Sequence, residues 1–253
     1  MQQHAIVADL SQQINLIDIC LTRHIETCQA ASQPFKVIVF FPTARSAGFY
    51  AQLFSQTKMS VIEMHSRKSQ AYRTKASAKF RDESNLVMFS SDVSARGMDY
   101  EGVSLVLQVG LTERAQYIHR LGRTARAGME GQGILLICPF ERCILGELKD
   151  LPINRMSTEE VDALCATPMR QELHRVWSTV SKNQELRLAG EQAYQAFLGY
   201  YNSNTRRLGW NSTTLVSTAN LYATYLGLTS QPVLLKRTVG KMGLKGVPGL
   251  LVQ

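Results

Sequence analysis

The stretch KVIVFFPTAR, residues 36–45, decides how the first part of this chain folds. After one lysine it runs through five consecutive apolar residues, a pattern typical of a strand that is buried on both faces. Residues 43–57 follow at once, with Ala47, Tyr50, Ala51 and Phe54 on one face of a predicted helix. A buried strand that leads directly into an amphipathic helix is the first half of a parallel βαβ unit.

The same alternation continues to residue 150. Further strands are predicted at 60–64, 85–90, 103–109 and 133–138, and further helices at 69–81 and 113–121. This repetition predicts an α/β fold with a parallel sheet and helices on both faces. Ligands of such sheets bind beyond the carboxyl ends of the strands, so we expect one functional edge there.

The pattern changes after residue 150. The rest of the chain shows helical periodicity at 158–165, 169–181, 184–202 and 213–226. From residue 229 onward it is basic and rich in Gly and Pro, which favours an irregular tail. We therefore predict two domains, an α/β domain at 1–150 and a mostly α-helical extension at 151–253.

Charge is distributed unevenly along the chain. The 253 residues carry a net charge of +8, yet no acidic residue follows Glu191. Six cations remain in that last part of the sequence: Arg206, Arg207, Lys236, Arg237, Lys241 and Lys245. A basic surface favours a polyanion, of which nucleic acid is the commonest, although a solubilising charge excess is the alternative.

Several classes of protein are disfavoured by composition. The five cysteines form no CxxC pair, so we expect reduced thiols, no zinc and no disulfide framework. No apolar run is long enough for a membrane span, and the first residues lack the basic start and apolar core of a signal peptide. The expectation is an intracellular protein that contacts no membrane.

The densest motif is YIHRLGRTARAG, residues 117–128. It places Arg120, Arg123 and Arg126 at spacings of three, beside His119. Such cations repel one another unless anions lie between them, and phosphate matches the guanidinium fork. The alternative is a helix that the arginines merely solvate.

Three shorter motifs follow predicted strands or begin helices. SDVSARGMD (91–99) combines a hydroxyl, two carboxylates and a glycine that allows close approach to a ligand; a plain salt-bridged loop is the alternative. In FFPTAR (40–45), Thr43 can cap the next helix, whose free N–H groups can also bind phosphate. In QAYR (70–73), Gln70 and Arg73 share one helix face.

Together these motifs resemble those of the DEAD-box RNA helicases in identity, order and spacing, over about residues 5–145. The resemblance implies a second RecA-like domain. It also implies that Arg123 and Arg126 are arginine fingers and that Asp99 contacts the nucleotide ribose. His119, Arg120 and Arg96 would make interdomain contacts or tie the loop to its neighbours. Contacts to RNA would come from Thr43, Arg45, Gln70, Arg73 and Ser91, which stands where the family usually has Thr.

Neither Gly-x-x-x-x-Gly-Lys-[Ser/Thr] nor Asp-Glu-Ala-Asp occurs in the sequence. In the family these elements belong to the first domain and bind ATP phosphates and Mg²⁺. We therefore expect ATP and Mg²⁺ to be bound mainly by a first RecA-like domain that is absent here, and this chain alone to be inactive as an ATPase.

A narrower resemblance covers the C-terminal region. The stretches QAYQAFLGYYNS (192–203) and GKMGLKGVPGL (240–250) are similar to the extension of organellar DEAD-box RNA chaperones that act in intron splicing. This implies a mitochondrial or plastid protein. We also expect a monomer. The recurring aromatics Tyr194, Phe197 and Tyr201 are expected to pack in the core. The tail residues Lys236, Arg237, Lys241 and Lys245 are expected to contact RNA phosphates, with coverage of apolar surface as the alternative role of the tail.

Two other functions remain open from the sequence. One is a DNA-directed superfamily 2 helicase, which the residues of the motifs at 91–99 and 117–128 disfavour. The other is a non-catalytic RNA-binding or assembly protein that has kept the fold, against which the presence of Asp99, Arg123 and Arg126 argues.

Overall fold

The structure of the protein is a computed structural model that describes residues 1–91, 100–125 and 131–253. Its strands are β1 (Gln2–Val7), β2 (Lys36–Phe40), β3 (Val61–Met64), β4 (Leu86–Ser90), β5 (Leu105–Val109), β6 (Gln132–Ile137) and β7 (Asn154–Arg155). They form one sheet in the order β3-β4-β2-β5-β6-β1-β7, and every pairing is parallel. The five predicted strands are confirmed as β2 to β6.

The α-helices of the described ranges are α1 (Gln13–Ala30), α2 (Ala44–Ser55), α3 (Gln70–Asp82), α4 (Arg114–Leu121), α5 (Cys143–Glu147), α6 (Thr158–Cys165), α7 (Gln171–Ser178), α8 (Gln184–Asn202), α9 (Thr205–Leu208), α10 (Ser212–Tyr225) and α11 (Lys236–Lys241). The predicted helices correspond to α2, α3, α4, α6, α7, α8 and α10.

Strand β2 separates two apolar cores. Its residues Val37 and Val39 face the larger core, which includes side chains of α1 and α2. Ile38 and Phe40 face a smaller core with Phe80 of α3. Successive side chains of a strand point to opposite faces, so a run of apolar residues fits a sheet that is covered on both sides. The predicted helices on both faces are confirmed.

Strand β1 and helix α1 were not predicted from the sequence. β1 has the mixed composition QQHAIV, and it is held by parallel pairing with β6 and β7. α1 buries Asn15 and Asp18 along with its apolar residues. These buried polar residues break the hydrophobic period, and each has its partner in a distant part of the chain.

The C-terminal extension, residues 151–253, packs against the sheet domain through α8, which contacts both α2 and α10. The buried side chains of α8 belong to the same core as those of α2. β7 follows residue 150 and still joins the main sheet beside β1. The division into domains at residue 150 stays a prediction.

The expectation of an irregular tail is wrong. Two short strands, β8 (Val233–Leu234) and β9 (Leu251–Val252), pair in parallel, and α11 lies between them. Leu234, Val239 and Leu244 are buried in the main core. The apolar residues of the tail are scattered among glycines and cations, so the sequence shows no periodic pattern that would predict this packing.

Candidate functional site

Two predicted contact residues lie at the carboxyl ends of neighbouring strands. Thr43 follows β2 and caps α2, because its Oγ1 accepts a hydrogen bond from the Ser46 backbone N–H at 3.0 Å. Ser91 directly follows β4 and is 7% exposed; its backbone N–H donates to the Met64 carbonyl at 3.3 Å. The pairing of β2 with β4 puts both residues at one edge of the sheet. Capping by Thr43 is confirmed, and its contact with RNA phosphate stays a prediction.

Arg45 contributes to a cluster of cations at the same edge. Its Nη1 donates to Oε1 of Gln192, on α8, at 2.5 Å. With Arg67 and Lys68 it lines a cavity of about 110 Å³, and among the described lining residues Glu63 is the one acid. Glu63 is paired with Lys68. The excess of positive charge favours an anion such as phosphate.

His65 lies under this cluster and is neutral at pH 7. Burial, and then the charges of Arg45 and Arg67, lower its pKa to about 4. Its Nδ1 accepts from the Arg67 backbone N–H at 3.3 Å, so the proton is on Nε2, which lies 3.3 Å from a Glu63 carboxylate oxygen. His65 thus holds the backbone at Arg67 without adding charge to the cluster.

Gln70 and Arg73 are joined as their spacing predicts. Both lie on the first turn of α3, and Arg73 Nη2 donates to Gln70 Oε1 at 2.6 Å. Gln70 is exposed and Arg73 is half-buried. The structure therefore presents them as one unit, and RNA contact by either stays a prediction.

Helix α4 separates its cations between the surface and the interior. His119 is exposed, whereas Arg120 is 1% exposed. The Arg120 guanidinium lies 5.2 Å from the centre of the Phe40 ring, and its Nη2 donates to the Phe41 carbonyl at 3.4 Å. Arg120 therefore acts inside the domain, tying α4 to the end of β2. The geometry disfavours an interdomain contact by this side chain, and for His119 that contact stays a prediction.

Arg123 does not lie at the carboxyl edge of the sheet, which corrects the expectation of one functional edge. The next residue, Thr124, donates through Oγ1 to the carbonyl of Val103, which precedes β5. α4 therefore runs back from the carboxyl end of β5 to its amino end. The Arg123 side chain is half-buried and lies near Tyr100. Burial raises the pKa of Tyr100, and the positive charge of Arg123 opposes that rise. The hydroxyls of the edge and Arg123, which follows α4, thus lie on different surfaces.

Asp99, Arg96 and Arg126 lie outside the residues that the structure describes. The ribose contact, the loop contact and the second arginine finger predicted for them stay predictions.

The four predicted cations of the tail form one surface. Lys236, Arg237, Lys241 and Lys245 are exposed, and they line a groove of about 720 Å³ together with Val239 and Val252. Within the described ranges no carboxylate lies within salt-bridge distance of any of them. Their convergence fits a polyanion, as expected, and the buried apolar residues of the tail show that it also covers the extension.

Sequence reasoning missed several residues that connect the extension to the site. Gln192 binds Arg45, and Arg207 binds the residues that precede α4. Glu141 is fully buried and accepts a hydrogen bond from Tyr201. Tyr194, Phe197 and Tyr201 are buried, as predicted. The sequence analysis noted Arg207 only as one of the cations that follow the last acidic residue, Glu191, because the contacts of Arg207 depend on the tertiary fold.

No group of three or more His, Cys, Asp or Glu that could hold a metal ion occurs in the described part of the chain. Over the same residues, no helix has both the length and the apolar character needed to cross a membrane.

Comparison with known proteins identifies the family. Residues 16–128 match the family described as the helicase conserved C-terminal domain. DEAD-box ATP-dependent RNA helicase 31 of Oryza sativa subsp. japonica is 44% identical over 251 residues, which cover 99% of this chain and 43% of that protein. This chain belongs to the DEAD-box family. DEAD-box ATP-dependent RNA helicase 26 of Arabidopsis thaliana is 43% identical over 98% of this chain and 28% of its own length, so the chain spans less than half of each relative.

The fold of this DEAD-box domain also has a solved counterpart. Domain 2 of the DEAD-box helicase Mss116p, determined with an RNA duplex, is 24% identical and superposes with a TM-score of 0.74. The match covers 100% of this chain and 98% of that one, so it includes the extension as well as the sheet. The predicted RecA-like fold followed by a helical extension is confirmed.

Proposed function

We propose that this chain is the C-terminal half of an ATP-dependent DEAD-box RNA helicase or RNA chaperone. The observation that carries the proposal is the match to DEAD-box helicases along 99% of the chain. The geometry agrees with it, because groups suited to phosphate lie on two separate surfaces. The edge with Thr43 and Arg45 suits RNA, and the end of α4 with Arg123 suits a nucleotide held by another domain.

The chain's own residues would stabilise charge and position the RNA. The Arg123 guanidinium is permanently charged and would offset the charge that develops on a transferred phosphoryl group, as would Arg126. The first RecA-like domain would bind ATP, which supplies the phosphoanhydride bond that is hydrolysed, together with Mg²⁺, which would offset the charge of the phosphates. RNA contacts through backbone phosphates predict low sequence specificity.

The test uses a protein in which this chain is joined to a first RecA-like domain. The chain alone should hydrolyse no ATP above background, and the joined protein should do so when RNA is added. Arg123→Ala and Arg126→Ala should each lower the RNA-stimulated rate by about three to five orders of magnitude. Arg142→Ala removes an exposed arginine elsewhere and serves as the control. Wild-type rates for both arginine variants would refute the arginine fingers, whereas a joined protein with no RNA-stimulated hydrolysis would favour a non-catalytic RNA-binding protein.

We further propose an organellar location, in a mitochondrion or plastid, a role in RNA splicing and a monomeric state. The support for the location and for the role in splicing is the similarity of residues 192–203 and 240–250 to the extensions of organellar RNA chaperones. A fluorescent fusion of the full-length protein tests the location. Cytosolic or nuclear fluorescence would contradict it.

A further inference from the structure

The connection between β5 and α4 consists of four residues, and its path is tightly constrained. Gly110 begins it with φ +78°, and a Cβ there would lie 2.9 Å from Pro42 Cγ. Only glycine fits both the dihedral and the space. Leu111, Thr112 and Glu113 complete the connection, and Glu113 is the N-cap residue of α4. The direction of α4 depends on how these residues are held.

Side chains of the extension bind the three residues of this connection that follow Gly110. Tyr200 donates its hydroxyl to the Leu111 carbonyl at 2.7 Å. Arg207 Nη2 donates to the Thr112 carbonyl at 2.8 Å, and Nη1 lies 3.4 Å from a Glu113 carboxylate oxygen. Both side chains come from the extension, Tyr200 from α8 and Arg207 from α9.

A third contact passes through Glu141. The Leu111 backbone N–H donates to Glu141 Oε1 at 2.6 Å, and the same oxygen accepts from the hydroxyl of Tyr201. Glu141 Oε2 accepts from the Cys138 backbone N–H at 2.8 Å. The carboxylate is fully buried, so these hydrogen bonds hold it in one position.

Arg207 is itself held rigidly. Its Nε and Nη2 form a bidentate pair with Glu147 of α5, at 2.8 and 2.7 Å, and the side chain is 19% exposed. Bidentate pairing fixes the plane of a guanidinium as well as its position. Arg207 therefore joins α5 to the entry of α4 with little freedom.

We propose that Arg207 and Tyr200 form a clamp by which the C-terminal extension sets the direction of α4 and the position of Arg123, which follows it. The clamp deepens the proposed function, on which it rests. α4 has eight residues and is about 12 Å long, so a tilt at its first turn displaces Arg123 beyond its last turn. Arg207 is a positioning residue, since it contacts the backbone that leads into α4.

The first measurement is hydrogen exchange on the 253-residue chain. Arg207→Gln should speed amide exchange over residues 111–121 by about tenfold, because two hydrogen bonds to the connection and its helix cap are lost. Arg206→Gln removes the same charge from an exposed neighbour on α9 and should leave exchange there unchanged. Equal exchange in both variants would overturn the clamp.

The second measurement is ATP hydrolysis by the protein that includes the first domain. Arg207→Gln and Tyr200→Phe should lower the RNA-stimulated kcat about ten- to a hundredfold, because the rate falls steeply when a catalytic group is misplaced. The KM for ATP should change less than twofold. Arg206→Gln and Tyr225→Phe are the matched controls. A lower melting temperature with unchanged kcat would reduce Arg207 to a structural role and overturn the proposal.

The two measurements separate the clamp from the proposed function. If the joined wild-type protein hydrolyses no ATP, the proposed function fails, and hydrogen exchange still decides whether the extension holds α4. If the wild type is active and Arg207→Gln matches it, the clamp fails while the proposed function stands.

Discussion

Asp18 and Arg170 join the two parts of the chain through a bidentate ion pair. Asp18 lies on α1 and is 1% exposed, and it accepts from Arg170 Nη2 at 2.5 Å and from Nε at 2.7 Å. The two residues are 152 positions apart in sequence. A carboxylate this deeply buried depends on its partner, since the cost of its desolvation is otherwise uncompensated.

Removing the arginine of this pair should destabilise the whole chain. We expect Arg170→Ala to lower the free energy of unfolding by about 2 to 4 kcal/mol, because a buried carboxylate loses two charged hydrogen bonds. Urea denaturation measures the change. Arg175→Ala, an exposed arginine on α7, is the control and should cost less than about 0.5 kcal/mol. Equal effects of the two variants would show that the pair contributes nothing to joining the two parts.

His65 should make stability depend on pH in a defined window. Its pKa of about 4 lies below the ordinary value of 6.5, so between these values the unfolded chain binds a proton that the folded chain does not. Its contribution is therefore complete above pH 6.5 and is lost as pH falls toward 4, by about 3 kcal/mol in total.

Urea denaturation at pH 7 and pH 5 tests this effect against His65→Gln. The fall in stability between the two values should be smaller in the variant by roughly 1 to 2 kcal/mol. The charged groups that face His65 are Glu63, Arg45 and Arg67, with Lys68 beside Glu63. His174→Gln, an exposed histidine, controls for loss of a histidine elsewhere. An unchanged fall in His65→Gln would contradict the assignment.

Asp99 and Ser91 should affect different ligands in the protein that includes the first domain. Asp99→Ala should weaken nucleotide affinity more than RNA affinity, since the resemblance puts Asp99 on the ribose. Ser91→Ala should do the reverse, because Ser91 follows β4 at the edge that also carries Thr43. Equilibrium binding of labelled nucleotide and labelled RNA measures both. An equal loss for the two ligands in each variant would refute this division.

The basic groove of the tail should supply salt-dependent affinity for RNA. Each phosphate contact on a single strand contributes about −0.7 to the slope of log affinity against log salt. Lys236→Gln, Arg237→Gln, Lys241→Gln and Lys245→Gln together should flatten the slope by roughly 1.5 to 3 units, similarly for all RNA sequences.

Substitutions test the prediction for the tail better than truncation does. Asn202 Nδ2 donates to the Met242 carbonyl at 2.8 Å and Asn220 Nδ2 to the Gly249 carbonyl at 2.9 Å, so deleting residues 229–253 also removes packing. The truncated chain should therefore melt at a lower temperature as well. The matched control changes four exposed cations elsewhere to Gln: Lys58, Lys149, Arg175 and Lys182. If the groove and control variants share the wild-type slope, the tail only covers apolar surface.

The sequence predicted most accurately where one local pattern was sufficient. The run at 36–41 could only be buried on both faces, and Val37 and Ile38 do face opposite cores. Thr43 caps α2, and Gln70 bonds Arg73, because both relations span a single helical turn.

Prediction failed where a residue's role depends on a distant partner. Arg120 has the sequence context of its neighbours in the motif, yet it is buried against Phe40 and Phe41. β1 is a strand because β6 and β7 flank it, although its own composition is mixed. The tail reads as irregular, but Leu234 and Val239 are held by the core.

By itself, the sequence determined the family, the parallel α/β architecture, the helical extension and the residue types that can bind phosphate. These depend on periodicity and motif spacing, which are local along the chain. Only the tertiary structure decided that Arg123 lies away from the edge with Thr43, and that Arg207 and Tyr200 hold the entry to α4. The physical reason is that the direction of α4 and the partner of each buried polar group are set by contacts between segments up to 152 residues apart, and no local pattern encodes them.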